Sequence, residues 1–512
     1  MTALTDLPEG WTEAKLADFA GAGGLFNDGD WIETKDQNPN GDIRLTQLAD
    51  IGDGVFKDKS QRFLTVEKAE ELGCTYLSPG DLLIARLPQP LGRTCIFPGD
   101  TKRCITAVDV SILRTGDPGV DNRWLMHFIN SPMVRVQIEA LQKGTTRPRI
   151  ARRNLGSMLI PLPPLAEQKR IVVKVEELLA RVNAAQDRLE KVPRIMKRFR
   201  QAVLSAACSG KLTEDWREQH PDVGSASGLI SQIQNDRRED RRNVEQADLG
   251  EARRKYTKPQ MLDTDDLPEI PDGWCWATLD QIRQEFRPII YGIIKPGPHV
   301  ADGVPYVRIN EMRYGKIADI SELRRADPQR AARFRRATLT EGDLLISKDG
   351  TIGIVAVVPP ELTGGNITQH IVRAAIHRLM NRDYVVAAIR SPFCQHWLTV
   401  EQKGVALQGV NVEDFRQLPI PIPPIEEQHE IVRLVEPLFK LADAIEKRVE
   451  LAKIRADKLT QSILAKAFRG ELVPTETELA RQEGRDYEPA SVLLERIRQQ
   501  RERDKGKQGK KR

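Results

Sequence analysis

Asp18-Phe-Ala-Gly21-Ala-Gly23-Gly24 is the stretch of this chain whose composition most suggests chemistry, because closely spaced glycines let a backbone approach a bound cofactor. The companions of such a site are missing. No Pro-Cys pair supplies a nucleophile; the nearest arrangement, Pro392-Phe393-Cys394-Gln395, has a phenylalanine interposed. No Asn/Asp-Pro-Pro-aromatic tetrapeptide is present to hold an extruded base. There is no G-x-x-x-x-G-K-[ST] phosphate loop, no H-E-x-x-H and no nucleophile elbow. Asp343 and Lys348 in "GDLLISK" have the residue types of a metal-dependent nuclease, but the matching "GDLLIAR" ends in Arg86 and brings no further acid. A strand entering a turn explains both. The six cysteines, Cys74, Cys95, Cys104, Cys208, Cys275 and Cys394, form no C-x-x-C and no zinc spacing, so they fit a reducing compartment. No catalytic and no metal-ligating residue is nominated; the chain reads as a binder.

The elements around these residues come in pairs. "IPLPPLAEQKRIV" (Ile160 to Val172) returns as "IPIPPIEEQHEIV" (Ile420 to Val432). "LPEGW" ending at Trp11 returns as "IPDGW" ending at Trp274, "INSPM" from Ile129 as "IRSPF" from Ile389, and "ASGLISQI" from Ala226 as "ASVLLERI" from Ala490. Between these landmarks the front of each unit differs almost everywhere, whereas the rear is kept. A chain of 512 residues exceeds one core and needs several domains. The fronts mix short strand-like runs with helical stretches and read as α/β or α+β globular domains.

The rear of each unit reads as a long helix. Apolar residues fall at 171, 175, 178, 182, 185, 189, 192, 196, 199 and 203, and at the same positions plus 260. Steps of four and three sustained this long predict a coiled-coil seam between two antiparallel helices. Pro164 and Pro424 sit where a helix tolerates a missing N–H, and Gly210 and Gly470 mark the ends. Pro193 and Pro437 are expected to kink their helices. The expected organisation is a first variable globular domain at 1–159, a first conserved helix at 160–212 and a charged helical linker at 213–266. A second domain at 267–419, a second helix at 420–473 and a charged tail at 474–512 follow. The 474–512 segment reads as a charged helix or tail, and its end from Arg501 to Arg512, like Asp236 to Lys255, as solvated helix or linker, disordered at the C-terminus or not.

Hydrophobic residues make up 40% and the net charge is +5, too mild to establish a polyanionic partner by itself. No basic-then-apolar leader opens the sequence and no run approaches the ~18 apolar residues of a membrane span, so a cytoplasmic protein without membrane contact is expected.

The twice-occurring PLPPL-x-EQ at the head of long helices, with "SGKLTEDWR" after the first and "RGELVP" after the second, resembles the specificity subunit of type I restriction–modification enzymes. The resemblance covers essentially the whole chain. It implies two target recognition domains, each reading half of a split, asymmetric double-stranded DNA sequence. The helices would space them and dock two modification subunits, which restriction subunits join. S-adenosylmethionine, ATP and magnesium would belong to those partners, leaving this chain without a cofactor. The assembled complex would be an adenine-N6 methyltransferase and ATP-dependent endonuclease. Two other readings stay open: a self-sufficient S-adenosylmethionine-dependent DNA methyltransferase built on the Gly21–Gly24 stretch, which resembles the loop of such enzymes, and a coiled-coil scaffold.

The resemblance transfers no base-reading residue, so side-chain chemistry must nominate them. Lys143, Arg147, Arg149 and Arg152, with Arg153 beside them, form the densest basic loop of the first front. The matching "KGVALQGVN" keeps Lys403 and offers Gln408 and Asn411. Arginine pairs well with guanine, and glutamine or asparagine with adenine, as differing half-sites would require. Arg44 and Gln47 are further candidates, with Arg308, Asn310 and Arg313 as rough counterparts. Arg86 and Lys348, beside turns, suit phosphate contacts. A merely solvated loop is the plainer alternative.

Overall fold

The strand before each proline pair closes its front. In the computed structural model, which describes residues 7–87, 90–116, 120–144, 148–246, 262–313, 315–317, 319–400 and 409–509, Leu159–Leu162 runs antiparallel to Thr12–Lys15. Pro419–Ile422 runs antiparallel to Cys275–Thr278 in the same way. The two fronts, unlike in sequence, share one strand plan. In the first, a four-stranded antiparallel sheet has the order Leu25–Asp28, Val110–Arg114, Leu82–Ala85, Thr94–Ile96. In the second the order is Ile290–Tyr291, Ile371–Ala374, Leu344–Ser347, Val355–Val357. A three-stranded sheet accompanies each, with one parallel pair: Ile43–Thr46 beside Arg103–Thr106, and Val304–Val307 beside Asn366–Ile367. Leu82–Ala85 and Leu344–Ser347 are buried at every position, which is why they read as unbroken apolar runs rather than alternating ones.

The long helices span Leu165–Cys208 and Ile425–Ala467. At ~1.5 Å per residue each is about 65 Å long. They run antiparallel: Gln186 donates to Asp457 at 2.8 Å, and Arg200 donates to Glu446 at 2.8 and 3.0 Å. The expected seam positions are buried or half-buried, except Ala185 and Leu459, which are exposed. Near its end the second helix turns Leu464, Ala467 and Phe468 toward the first front instead, since a 3.6-residue helix drifts from a 3.5-residue repeat. Pro193 and Pro437 interrupt neither helix. Both are exposed, so water can reach the carbonyl each leaves unpaired.

Compact packing divides the chain into residues 1–190 with 450–512, and residues 191–449. These bounds cut across the repeats. The first unit joins the first front, the start of the first long helix, the end of the second, and everything after it. Phe468 packs edge-on against Phe128 at 5.0 Å and against Trp124 at 6.3 Å. The C-terminal segment is a helix, Ala490–Gly509, whose Leu493, Leu494 and Ile497 are buried in that core. One face of this charged helix is apolar before Arg501, and the first front covers it. In the second unit Ile230 and Ile233, from the helix Ala226–Gln246, do the same against the second front.

The repeated Gly-Trp and Glu-Gln are two halves of one lock. Trp11 Nε1 donates to Glu167 at 2.9 Å, and Trp274 Nε1 donates to Glu427 at 2.8 Å. Gln168 accepts from Asp121 N–H and donates to the Pro163 carbonyl; Gln428 does likewise with Asn381 and Pro423. All four carboxylate and amide side chains are buried. The motif that draws the eye in the sequence is therefore structural: it pins the head of each helix to the front it leaves. Glu167 also accepts from the Glu476 N–H at 2.9 Å, and Glu427 from Thr213 and Arg217, each at 2.6 Å. Each lock thus also holds the segment that follows the other long helix.

Candidate nucleic-acid interface

In both fronts one basic residue follows the buried central strand, and the loop before the last short helix returns to it. Arg86 N–H donates to the Asp109 carbonyl, and Ile150 N–H donates to the Arg86 carbonyl. Lys348 N–H donates to the His370 carbonyl, and Val410 N–H donates to the Lys348 carbonyl. The sheet end and the loop are thus joined identically in the two copies.

The side chains at this junction differ. In the first front Asp28 lies between two cations, Arg86 at 3.4 Å and Arg152 at 3.6 Å, and accepts from Ser111 Oγ at 2.8 Å. Arg86 further donates to the Val108 carbonyl at 2.6 Å. Lys143 and Arg149 bridge across the loop through their backbones and leave their side chains exposed. In the second front Asp349 takes the central place, accepting from Lys348 at 2.8 Å and lying 2.7 Å from His370 Nδ1. Gly409 sits so close to Asp349 that a Cβ there would lie 2.3 Å from its Oδ1. Asn411 is exposed, and its N–H donates to Asp414 as the helix Val412–Gln417 begins. Arg147, Lys403 and Gln408 lie outside the described residues.

The remaining candidates lie in or soon after the parallel-paired strand of each companion sheet. Gln47 and Arg308 occupy one position: each follows a parallel-paired strand and opens a short turn whose third residue is an acid. Gln47 N–H donates to Asp50 at 2.7 Å, and Arg308 Nε donates to Glu311 at 2.7 Å. An amide in one copy thus stands where the other has a guanidinium. Asn310 is exposed two residues on, and Arg313 lies in the strand pair with Lys316. Arg44 is placed otherwise. It is half-buried and bonded to Asp100 at 2.6 Å, to Asp58, and to the Ser60 carbonyl. Asp100 is held down to about 2 by the Lys102 N–H and by Arg44, against the opposing pull of burial.

Two residues beside this junction were not anticipated. Trp31 is 72% exposed and follows the bridge between Asp30 and Ala107; Ile294, 44% exposed, follows the equivalent bridge between Ile293 and Thr368. Strand-like context in a sequence does not tell an exposed aromatic from a core one. The Gly21–Gly24 stretch follows the strand Thr12–Lys15 and the short turn Leu16–Phe19, and leads into the strand Leu25–Asp28. No helix follows it, so the strand–loop–helix of a methyltransferase cofactor loop is not formed there.

The profile of the type I restriction modification DNA specificity domain matches residues 8–194 and 300–456. The chain is 35% identical over 375 residues to the type I restriction enzyme EcoBI specificity subunit of Escherichia coli, covering 72% of this chain and 70% of that one. It is 32% identical over 394 residues to the EcoKI specificity subunit of Escherichia coli strain K12, covering 75% and 73%. Its fold is similar to a chain solved in work on complex assembly of the type I R-M system, with TM-score 0.62, 19% identity, and coverage of 91% and 99%. It is also similar to the HsdS subunit from Thermoanaerobacter tengcongensis, with TM-score 0.51, 19% identity, and coverage of 92% and 100%. Among the described residues no helix is long and apolar enough to cross a membrane. Two fronts of one fold, each locked to a long helix, together with these matches, place the chain in the family of type I restriction–modification DNA specificity subunits.

Proposed function

We propose that each front reads one half of a bipartite, asymmetric duplex DNA target, and that the paired helices set the spacer between the halves. The observation that carries this is chemical divergence at an equivalent position of one scaffold: Gln47 against Arg308. Amide and guanidinium groups prefer different bases, so one fold used twice yields two unlike half-sites. The exposed Lys143 and Arg149 supply charge for the backbone, with Arg86, Arg152 and Lys348 partly neutralised beside them. The helices would dock two modification subunits, which bring S-adenosylmethionine and adenine-N6 methyl transfer. Restriction subunits would bring ATP, magnesium and cleavage, and the assembly would work in the cytoplasm.

Methylation mapping of genomic DNA from a host expressing the complete system tests the reading. A split, asymmetric motif modified once per half is expected. A contiguous or palindromic motif would overturn the two-reader reading.

A further inference from the structure

A cleft of about 530 Å³ opens in the first unit where the Gly21–Gly24 stretch, the start of the helix Arg152–Gly156 and the C-terminal helix meet. Arg152, Arg153 and Arg501 line it, and among the described residues no carboxylate does. Arg152 is partly neutralised by Asp28 at 3.6 Å. Among the described residues the Arg501 side chain bonds only to a neutral carbonyl, that of Ala17, at 3.2 Å. Arg153 is exposed, and its side chain has no hydrogen bond or ion pair among the described residues. Two guanidiniums therefore face a recess with no internal counter-charge among the described residues.

The second unit supplies the control. Trp11 matches Trp274, and the bridge at Asp30 matches that at Ile293, so 263 residues separate equivalent positions throughout this stretch. Glu285 thus stands where the first front has Ala22. Arg237, which matches Arg501 in the repeat, lies 2.6 Å from Glu285, and Arg241 lies 3.5 Å from it. Val412 and Glu413 replace Arg152 and Arg153. Where one copy neutralises its arginines with a buried glutamate, the other offers small residues and leaves them open.

We infer that this cleft seats a phosphate of the DNA backbone flanking the half-site read by the first front, which makes Arg153 and Arg501 DNA contacts. Arg152 carries the argument from cleft to interface, since it lines the cleft and shares Asp28 with Arg86. The chemistry is that of a phosphate monoanion gripped by forked donors. The inference rests on the proposed reading of duplex DNA. It adds that the C-terminal helix takes part and that the two half-sites differ in electrostatic footprint.

The test uses the full chain assembled with its modification subunits, with Arg153→Gln/Arg501→Gln and, separately, Ala22→Glu, which imports the sibling's carboxylate. Binding to the mapped target is measured from 50 to 200 mM salt. Losing one phosphate contact should make the slope of log affinity against log salt shallower by about 0.9, so the variants' deficit should shrink about 3.5-fold over that range. Base preference at both half-sites should stay as in the parent. An unchanged slope in both variants, with binding intact in the parent, overturns the cleft alone. Failure of the parent to select a split target overturns the underlying reading instead. Calorimetric titration with inorganic phosphate and with ATP forms the other arm. Saturable binding of either, lost in the double variant while the DNA slope stays unchanged, would assign the cleft to a free phosphate ligand and overturn the DNA contact.

Discussion

Glu427→Leu should loosen the second unit locally and heavily. The side chain is 1% exposed and accepts from three donors: Trp274 Nε1, Thr213 Oγ1 and an Arg217 guanidinium N–H. Leucine leaves the indole N–H without a partner, at about 1–3 kcal/mol. It also leaves Arg217 without its counter-ion. Breaking a fully buried pair costs about 3–5 kcal/mol, but Arg217 is 23% exposed, so water recovers part of that. The sum is roughly 3–5 kcal/mol. Glutamine keeps one acceptor but turns an amide toward the indole, so Glu427→Gln should cost about 2–3 kcal/mol. Glu167→Gln, whose site holds Trp11 and the Glu476 N–H but no directly bonded arginine, should cost about 1–2 kcal/mol. The readout is urea unfolding combined with amide hydrogen exchange. Glu427→Leu should deprotect residues 211–233 and leave 476–497 unchanged. A loss below about 1 kcal/mol, with protection retained, would refute the account of the lock. Burial raises the Glu167 carboxyl above 4.5, against the lowering pull of its hydrogen bonds. Its contribution to stability is therefore full below that value and is lost as pH rises through the raised one. Glu167→Gln should flatten that part of the first unit's pH profile.

Three further outcomes are expected. In Asp100→Asn, the first unit should lose about 1–2 kcal/mol at neutral pH; in the parent this contribution should fade as pH drops from 3.8 toward about 2, which acid-dependent denaturation would reveal. Arg86→Gln and Lys348→Gln should weaken DNA binding at all sequences and make the salt slope shallower by about 1 each; loss confined to one base in selection experiments would make the residue a base reader. A matched seven-residue insertion in both long helices keeps the seam in register and adds about 10.5 Å. Library selection with randomised spacers should then favour a spacer about three base pairs longer, bound more weakly because the duplex has rotated by roughly 105°.

The repeat, the helix bounds and the seam were legible because each rests on local rules. Pro164 and Gly210 bracket the observed Leu165–Cys208, and Pro424 and Gly470 bracket Ile425–Ala467. What was not legible depends on partners far along the chain. Nothing near Trp11 announces that its indole meets Glu167, although both residues recur in the second copy and their joint recurrence was a usable signal. The role of Leu493, Leu494 and Ile497 in the C-terminal helix was not legible, because they become core only when the first front is beside them. Arg44 looked like a free cation, since Asp58 and Asp100 that hold it are 14 and 56 residues away. Cross-strand neighbours of this kind are set by register, which single residues do not encode.

The contact between Thr477 and the Glu9 carbonyl, 468 residues apart in sequence, has a consequence for synthesis. The first front leaves the ribosome first but obtains its cover last. From Trp124 to Leu494 the ribosome must add 370 residues, which takes roughly 20–75 s at ~5–20 residues per second. Throughout that interval the aromatic face of Trp124 and Phe128 lacks Phe468 and the C-terminal helix. The second front has its whole cover encoded within residues 191–449 and can mature while the first still waits. A nascent chain stalled before residue 468 therefore carries one finished reader and one sticky one, and the sticky one is a natural target for a chaperone.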